Sequence, residues 1–281
     1  MKTIKELNDI STQIRRDLLR MINAVKSGHP GGSLGCADLF TALYFNILNH
    51  DPANFSIDGK EQDLFFLSNG HLSAVWYCAL ARSGYFPINE LGTFRKLGTR
   101  LQGHPTPADE IEGVRIASGS LGQGLSVAIG AALTKKLNKE YNIVYCLMGD
   151  GELQEGQVWE AAMFAAAKKI DNIIAIVDYN KKQIDGPVKD VLDLGNLNKK
   201  WDAFGWDVLE MDGNNIEEVI NIINEAKHLI NKSKPIVIIM KTIMGKGVDF
   251  MEDNHNWHGV APNDEQLNKA LSQLKETIGD Y

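Results

Sequence analysis

Ile143-Val144-Tyr145-Cys146-Leu147-Met148-Gly149-Asp150-Gly151 is answered downstream by Ile173-Ile174-Ala175-Ile176-Val177-Asp178-Tyr179-Asn180. Each stretch opens with an unbroken apolar run of strand length and ends in glycine or polar residues. A strand without polar alternation is covered on both faces, as in a parallel sheet. The alanine-rich stretch between them, Val158 to Lys169, is a good helix former. Strand, helix, strand in that order make a parallel crossover unit. Gly149-Asp150-Gly151 and Asn180 then share the carboxyl edge of the sheet, where ligands bind.

The pattern extends outward in both directions. Trp206 to Met211 and Ile236 to Met240 read as further strands, with the amphipathic Ile216 to Ile230 as a helix between them. Upstream, Asp63 to Leu67 reads as a short strand ended by Ser68-Asn69-Gly70-His71. Leu72 to Arg82 reads as a helix, with loop through Arg115 after it. Gly119-Ser120-Leu121-Gly122-Gln123-Gly124 opens a small-residue helix ending near Leu137. At the N-terminus Ile4, Leu7, Ile10, Ile14, Leu18, Ile22 and Val25 recur at helical steps. That helix stops at Ser27-Gly28-His29-Pro30-Gly31-Gly32, where one proline and three glycines oppose its continuation. A second helix is expected from Ala37 to Leu48. The alternation predicts an α/β fold, a mostly parallel central sheet with helices on both faces. No repeat, low-complexity tract or long linker divides the chain, so residues 1–281 are expected to form one domain.

Composition narrows the functional classes. The net charge of −7 over 281 residues lacks the basic face that non-specific nucleic-acid binding requires. No apolar run approaches the roughly 20 residues of a membrane span, and Met1 to Asp9 lacks the apolar core of a targeting segment. Cys36, Cys78 and Cys146 fall in apolar runs and read as buried free thiols, which fits the cytoplasm.

The two strand ends carry chemistry. Glycines let the backbone approach a diphosphate closely, and the helix after Gly151 turns its free N–H groups toward that anion. The Asp150 carboxylate, the Asn180 amide oxygen and two diphosphate oxygens are hard ligands of the kind Mg²⁺ or Ca²⁺ prefers. A backbone carbonyl and a water would complete an octahedron. The plainer reading, a turn and a helix cap, leaves unexplained why both groups fall at adjacent strand ends.

Of the seven histidines, His29, His71, His104 and His258 adjoin a glycine. A side chain on such a turn is presented by bent backbone, and imidazole titrates near neutrality, which suits proton removal and return. His50 and His228 read as structural. His255-x-x-His258 has only Asp253 nearby and lacks the further ligands of a zinc site.

Gly149-Asp150-Gly151, twenty-eight residues, then Asn180 resembles the thiamin diphosphate signature. Within that superfamily, Gly149-Asp150-Gly151-Glu152-Leu153-Gln154-Glu155-Gly156 and Asp178-Tyr179-Asn180-Lys181-Lys182-Gln183-Ile184-Asp185-Gly186 resemble transketolase. So do Ser27-Gly28-His29-Pro30-Gly31-Gly32, Ser68-Asn69-Gly70-His71, Gly103-His104-Pro105 and His255-Asn256-Trp257-His258-Gly259. The resemblance runs from about His29 to Pro262. It implies transfer of two-carbon ketol units between sugar phosphates through a carbanion of thiamin diphosphate, with Mg²⁺ that Ca²⁺ or Mn²⁺ could replace.

The same resemblance implies roles for single residues. Asp150 and Asn180 hold the metal through side chains and Lys182 through its main-chain carbonyl, a position more usually hydrophobic. Gly151 packs on the diphosphate, and Gly119, Ser120 and Leu121 contact the aminopyrimidine ring. His29, His71, His104 and His255 line the cleft around the reacting carbon and the sugar hydroxyls, with His258 a further ligand-side or scaffold residue. Glu155 and Glu160 lie at the subunit contact beside the cofactor, although acidic residues early in a helix also suit its dipole.

The family draws an essential glutamate from a pyrimidine-binding domain, for which this sequence has no candidate segment. A second polypeptide, a C-terminal transketolase subunit, is therefore expected in an α2β2 assembly, the more so because the polar stretch from Asn263 to Tyr281 ends like a natural helix and terminus. Other readings stay open at this point: a deoxyxylulose-phosphate synthase-like chain, the α subunit of a 2-oxo acid dehydrogenase, or a non-catalytic cofactor-binding subunit.

Overall fold

The computed structural model describes residues 2–281. The chain forms α1 (Ile4–Val25), α2 (Pro30–Gly35), α3 (Ala37–Ala42), β1 (Leu64–Leu67) and α4 (Ser73–Arg82). Next come α5 (Gly124–Leu137), β2 (Val144–Gly149), α6 (Gly156–Ala167) and β3 (Ile173–Tyr179), then a two-stranded hairpin of β4 (Lys182–Gln183) and β5 (Gly186–Pro187). The remainder is α7 (Val188–Leu192), α8 (Leu197–Ala203), β6 (Asp207–Asp212), α9 (Ile216–Leu229), β7 (Ile236–Lys241) and α10 (Asp264–Gln273).

Five strands pair in the order β1-β2-β3-β7-β6, and every pairing is parallel. Side chains alternate across the sheet, so the apolar runs feed two cores. Tyr145, Leu147, Ile174, Ile176, Ile236 and Ile238 face the core shared with α1, α3, α4 and α9. Cys146, Met148, Ala175, Val177, Val237 and Ile239 face the core shared with α5, α6 and α8. Two-sided burial is why these strands carry no polar alternation. The edge strand β6 is different, with Glu210 and Asp212 exposed. All three cysteines are free and buried. No helix among the described residues is long and apolar enough to cross a membrane.

Several element boundaries differ from expectation. The first helix ends at Val25, with Lys26 left-handed at φ 52°, but the chain turns helical again at Pro30. Proline at the first helical position costs nothing, because that N–H has no partner anyway. The glycines then serve packing: a Cβ on Gly31 would sit 2.7 Å from Met244 Cγ, and one on Gly32 2.8 Å from Leu72 Cδ2. The helix expected over Ala37 to Leu48 is α-helical only to Ala42 and closes with a π turn, Leu43–Ile47. The helix expected from Gly119 starts at Gly124; Gly119 and Gly122 lie at φ 140° and 83°, outside helical backbone. The helix after the Gly-Asp-Gly turn begins at Gly156, and a 3-10 turn, Gly151–Gln154, intervenes. The N–H groups nearest the sheet edge therefore belong to that short turn, where the Gly151 amide donates to the Asp150 carboxylate and the Leu153 amide to the Asp150 carbonyl.

Trp206 anchors the α5/α6/α8 side. It is fully buried, its indole N–H donates to the Ala162 carbonyl at 2.9 Å, and its ring meets Trp201 at 4.9 Å. Trp206→Ala is expected to lower the unfolding free energy by about 3–5 kcal/mol, read from denaturant midpoints. A loss of under about 1 kcal/mol would show that this core does not depend on the indole.

Candidate active site

The site grows out of one register. β2 and β3 align Gly149 with Asp178, and the Asp150 amide donates to the Asp178 carbonyl at 3.1 Å. The two turns therefore leave the sheet side by side. Asp150 is 1% exposed; its carboxylate accepts from the Lys181 amide at 2.5 Å and the Gly151 amide at 2.8 Å. It has no ion-pair partner among the described residues. Burial, and after it the charge of Asp178, pushes its pKa up to about 8.

Asp178 is itself buried and accepts from the Thr242 hydroxyl and, at 2.8 Å, from the Asn180 amide nitrogen. That bond fixes which end of the Asn180 amide is oxygen and aims Oδ1 away from Asp178. The Lys182 amide donates to Asn180 Oδ1 at 2.9 Å. Lys182 begins the β4–β5 hairpin, and its ammonium pairs with Asp253 at 3.0 Å. An ammonium repels a cation, so Lys182 could serve one only through its main-chain carbonyl.

Opposite these turns lies a cavity of 350 Å³. Its wall includes His29, His71, His104, His258, Gly119 and Leu121, and its floor is Asp150, Gly151, Asn180 and Lys182. The His29 ring lies 5.1 Å from His71, 6.4 Å from His104 and 5.7 Å from His258, and His71 lies 5.2 Å from His258. Four imidazoles thus form one cluster. Each is carried by a different loop: the start of α2, the turn after β1, the loop before Pro105 and the segment after the 3-10 turn His255–Trp257.

The fourth ring is not the expected one. His258 lines the cavity and His255 does not, because the chain after the 3-10 turn folds against His29, where a Cβ on Gly259 would stand 3.5 Å from the ring. Ser120 is exposed and also absent from the wall, whereas Glu155 reaches the rim. Glu160 points from α6 to solvent outside the cavity. Reading the sequence missed Asp178, Asn69 and Glu152. The signal was available, since all three lie inside the motif stretches, but their contacts join segments far apart in the chain.

Burial moves these histidines below the ordinary imidazole value. Burial, with help from neighbouring rings and Arg95, lowers His29 to about 4; burial and the neighbouring rings lower His71 to about 3. Burial also lowers His104 and His258. At neutral pH the cluster is uncharged, and each ring offers one donor and one acceptor nitrogen.

The residues present fit an anionic cofactor held through a cation. A buried carboxylate with no positive partner is costly and is relieved by a metal ion. Its companions, an amide oxygen and a main-chain carbonyl, are hard donors suited to Mg²⁺. His29 Nδ1, His258 Nδ1, Asn69 Oδ1 and Ser118 Oγ are buried near this cleft with no hydrogen-bond partner, and such atoms await ligand atoms.

Known proteins point the same way. Residues 8–279 match the family described as transketolase, thiamine diphosphate binding domain. The chain is 40% identical over 271 residues to a protein named 6-deoxy-6-sulfo-D-fructose transketolase subunit from Clostridium sp. (strain MSTE9), covering 96% of this chain and 97% of that one. It is 39% identical over 272 residues to a protein of Actinobacillus succinogenes named as one of the subunits of apulose-4-phosphate transketolase, covering 96% of each. The transketolase of Campylobacter jejuni superposes with a TM-score of 0.90 at 34% identity, over 97% of this chain and 43% of that chain. The chain likewise spans 40% of human transketolase, at 37% identity over 262 residues. Fold and family together define a thiamin diphosphate-binding α/β protein. The chain belongs to the transketolase family and corresponds to its N-terminal, cofactor-binding part.

Acid should unfold this cleft in a specific window. An unfolded histidine titrates near its ordinary value of 6.5, whereas His29 and His71 hold about 4 and about 3 in the fold. Below that ordinary value the unfolded chain gains protons that the folded cleft refuses, so stability falls as pH drops and levels off only below the folded values. His71→Gln should flatten the fall in urea midpoint across this window relative to wild type. Parallel curves for the two proteins would refute the assignment.

Proposed function

We propose that this chain is the diphosphate-binding subunit of a two-polypeptide transketolase. It transfers two-carbon ketol units from a ketose phosphate to an aldose phosphate, acts in the cytoplasm, and folds as one diphosphate-binding domain over 1–281. The observation that carries the reading is the cavity in which the buried Asp150 and the half-buried Asn180 face four neutral histidines.

Asp150 and the Asn180 amide oxygen would hold Mg²⁺ through side chains and Lys182 through its carbonyl. Ca²⁺ or Mn²⁺ offers the same hard-ion chemistry. Electrostatics favour a shared cation. Burial pushes Asp150 up to about 8 and also raises Asp178, which holds these carboxyls toward the protonated form when no cation is near. A cation would ionise them and offer a diphosphate the positive charge it needs. Thiamin diphosphate supplies, when bound, the nucleophilic carbon and the electron sink for breaking a carbon–carbon bond. The protein's own part is to orient, exclude water and move protons. Uncharged His29, His71, His104 and His258 can accept a sugar hydroxyl proton at one ring nitrogen and donate from the other.

Two features support a separate partner. Relatives that match the chain end to end are named as transketolase subunits, and single-chain transketolases continue well past the matched part. The partner is read as a C-terminal subunit carrying the pyrimidine-binding domain, joined in an α2β2 assembly, with Glu155 at the cavity rim near that contact. The relatives' names differ in the sugar, 6-deoxy-6-sulfo-D-fructose in one and apulose 4-phosphate in another.

Reconstitution tests the reading. Ketol transfer from xylulose 5-phosphate to ribose 5-phosphate, with thiamin diphosphate and Mg²⁺, should need this chain and its partner together. Transfer by this chain alone would overturn the two-polypeptide account. Pyruvate serving as donor in place of a ketose phosphate would move the chain to another thiamin diphosphate class. Asp150→Ala should abolish cofactor-dependent activity of the mixture while leaving the circular dichroism spectrum of the fold unchanged.

A further inference from the structure

Glu152 lines the same cavity but takes no part in the chemistry proposed above. It is 2% exposed and forms no salt bridge among the described residues. Buried carboxylates without a cation persist only where donors satisfy both oxygens. Here three donors do so. Oε1 accepts from the Ser68 hydroxyl and from the Gly122 amide at 2.8 Å; Oε2 accepts from the Gly149 amide at 3.0 Å. Ser68 Oγ in turn accepts from the Gly124 amide at 3.0 Å.

The donors come from three separate segments. Ser68 directly precedes the turn that carries Asn69 and His71. Gly122 directly follows Leu121, and Gly149 directly precedes Asp150. Each bond therefore ends within three residues of a side chain or backbone that walls the cavity. The local backbone is shaped for the meeting. Gly122 is held at φ 83°, and a Cβ on Gly124 would stand 2.4 Å from Ser68 Cβ. An apolar side chain could fill the same volume, but it could not tie two loops and a strand end together.

The geometry points to Glu152 as a positioning residue, a strut whose two oxygens set the spacing between the ring-side loop Gly119–Gly122 and the diphosphate-side turn Gly149–Gly151. This role rests on the reading of the cavity as the thiamin diphosphate site. It carries an effect that simple destabilisation would not give. A ligand that bridges both walls needs the correct spacing, whereas one that touches only the metal-side turn does not. Thiamin diphosphate belongs to the first kind and inorganic diphosphate to the second.

Glu152→Gln keeps the volume but leaves only one oxygen for donors on both sides. With Mg²⁺ present and the partner subunit bound, calorimetry should show thiamin diphosphate affinity falling about tenfold, the cost of one lost charge-assisted hydrogen bond. Affinity for inorganic diphosphate should stay within about twofold of wild type. Hydrogen exchange at the Gly122 and Gly149 amides should quicken while the centres of β2 and β3 stay protected. Ser68→Ala, which removes one donor and leaves the carboxylate, should give the same pattern more weakly. Equal losses for the two ligands, or unchanged exchange and affinity in Glu152→Gln, would overturn the strut. Failure of the wild-type assembly to bind thiamin diphosphate would instead overturn the functional reading, and the exchange result would still decide whether Glu152 couples the loops.

Discussion

The whole cleft depends on one rung of the parallel ladder, the Asp150 amide donating to the Asp178 carbonyl. Parallel pairing places the carboxyl ends of β2 and β3 at the same height, and this rung is the last before both strands turn away. It puts an unpaired buried carboxylate beside an amide whose oxygen Asp178 has already oriented. A slip of one residue would turn every side chain of β3 to the opposite face and exchange the two cores. The apolar residues on both faces of the sheet therefore guard the site as well as the fold.

Around that fixed floor the protein assembles walls from loops of distant origin. His29 heads a helix that exists because its glycines allow Met244 and Leu72 to press against the backbone. His71 follows the end of β1, and His258 arrives on a segment folded against His29. None of these loops specifies the others locally. Their agreement comes from close approaches that only glycine permits and from buried groups such as Glu152 that bond to several segments at once. The result is a cluster of uncharged imidazoles set against a floor of buried carboxyl groups whose ionisation calls for a cation. That contrast is what a metal-bridged anionic cofactor requires of its site.

The parts legible in the sequence were those governed by short-range pattern. Strands β2 and β3 announced themselves because burial on both faces removes polar residues altogether, and Asp150 and Asn180 followed from where those runs end. The helix Pro30–Gly35 was not legible, because its composition opposes helix and only tertiary crowding explains it. The choice between His255 and His258 was equally out of reach, since three residues of spacing do not say which ring a 3-10 turn delivers to a cleft. The neutral state of the histidines was also hidden, for it depends on mutual burial among residues up to about 229 positions apart.

On the proposed function, the two strand ends hold a divalent cation shared with the cofactor's diphosphate. Electron paramagnetic resonance of Mn²⁺ tests it most directly, with this chain and its partner present and thiamin diphosphate added or withheld. Tight binding of one Mn²⁺ per chain is expected only when the cofactor is present, with Asp178→Asn weakening it through the freed Asn180 amide. Tight Mn²⁺ binding independent of thiamin diphosphate, or cofactor binding indifferent to any divalent cation, would contradict it.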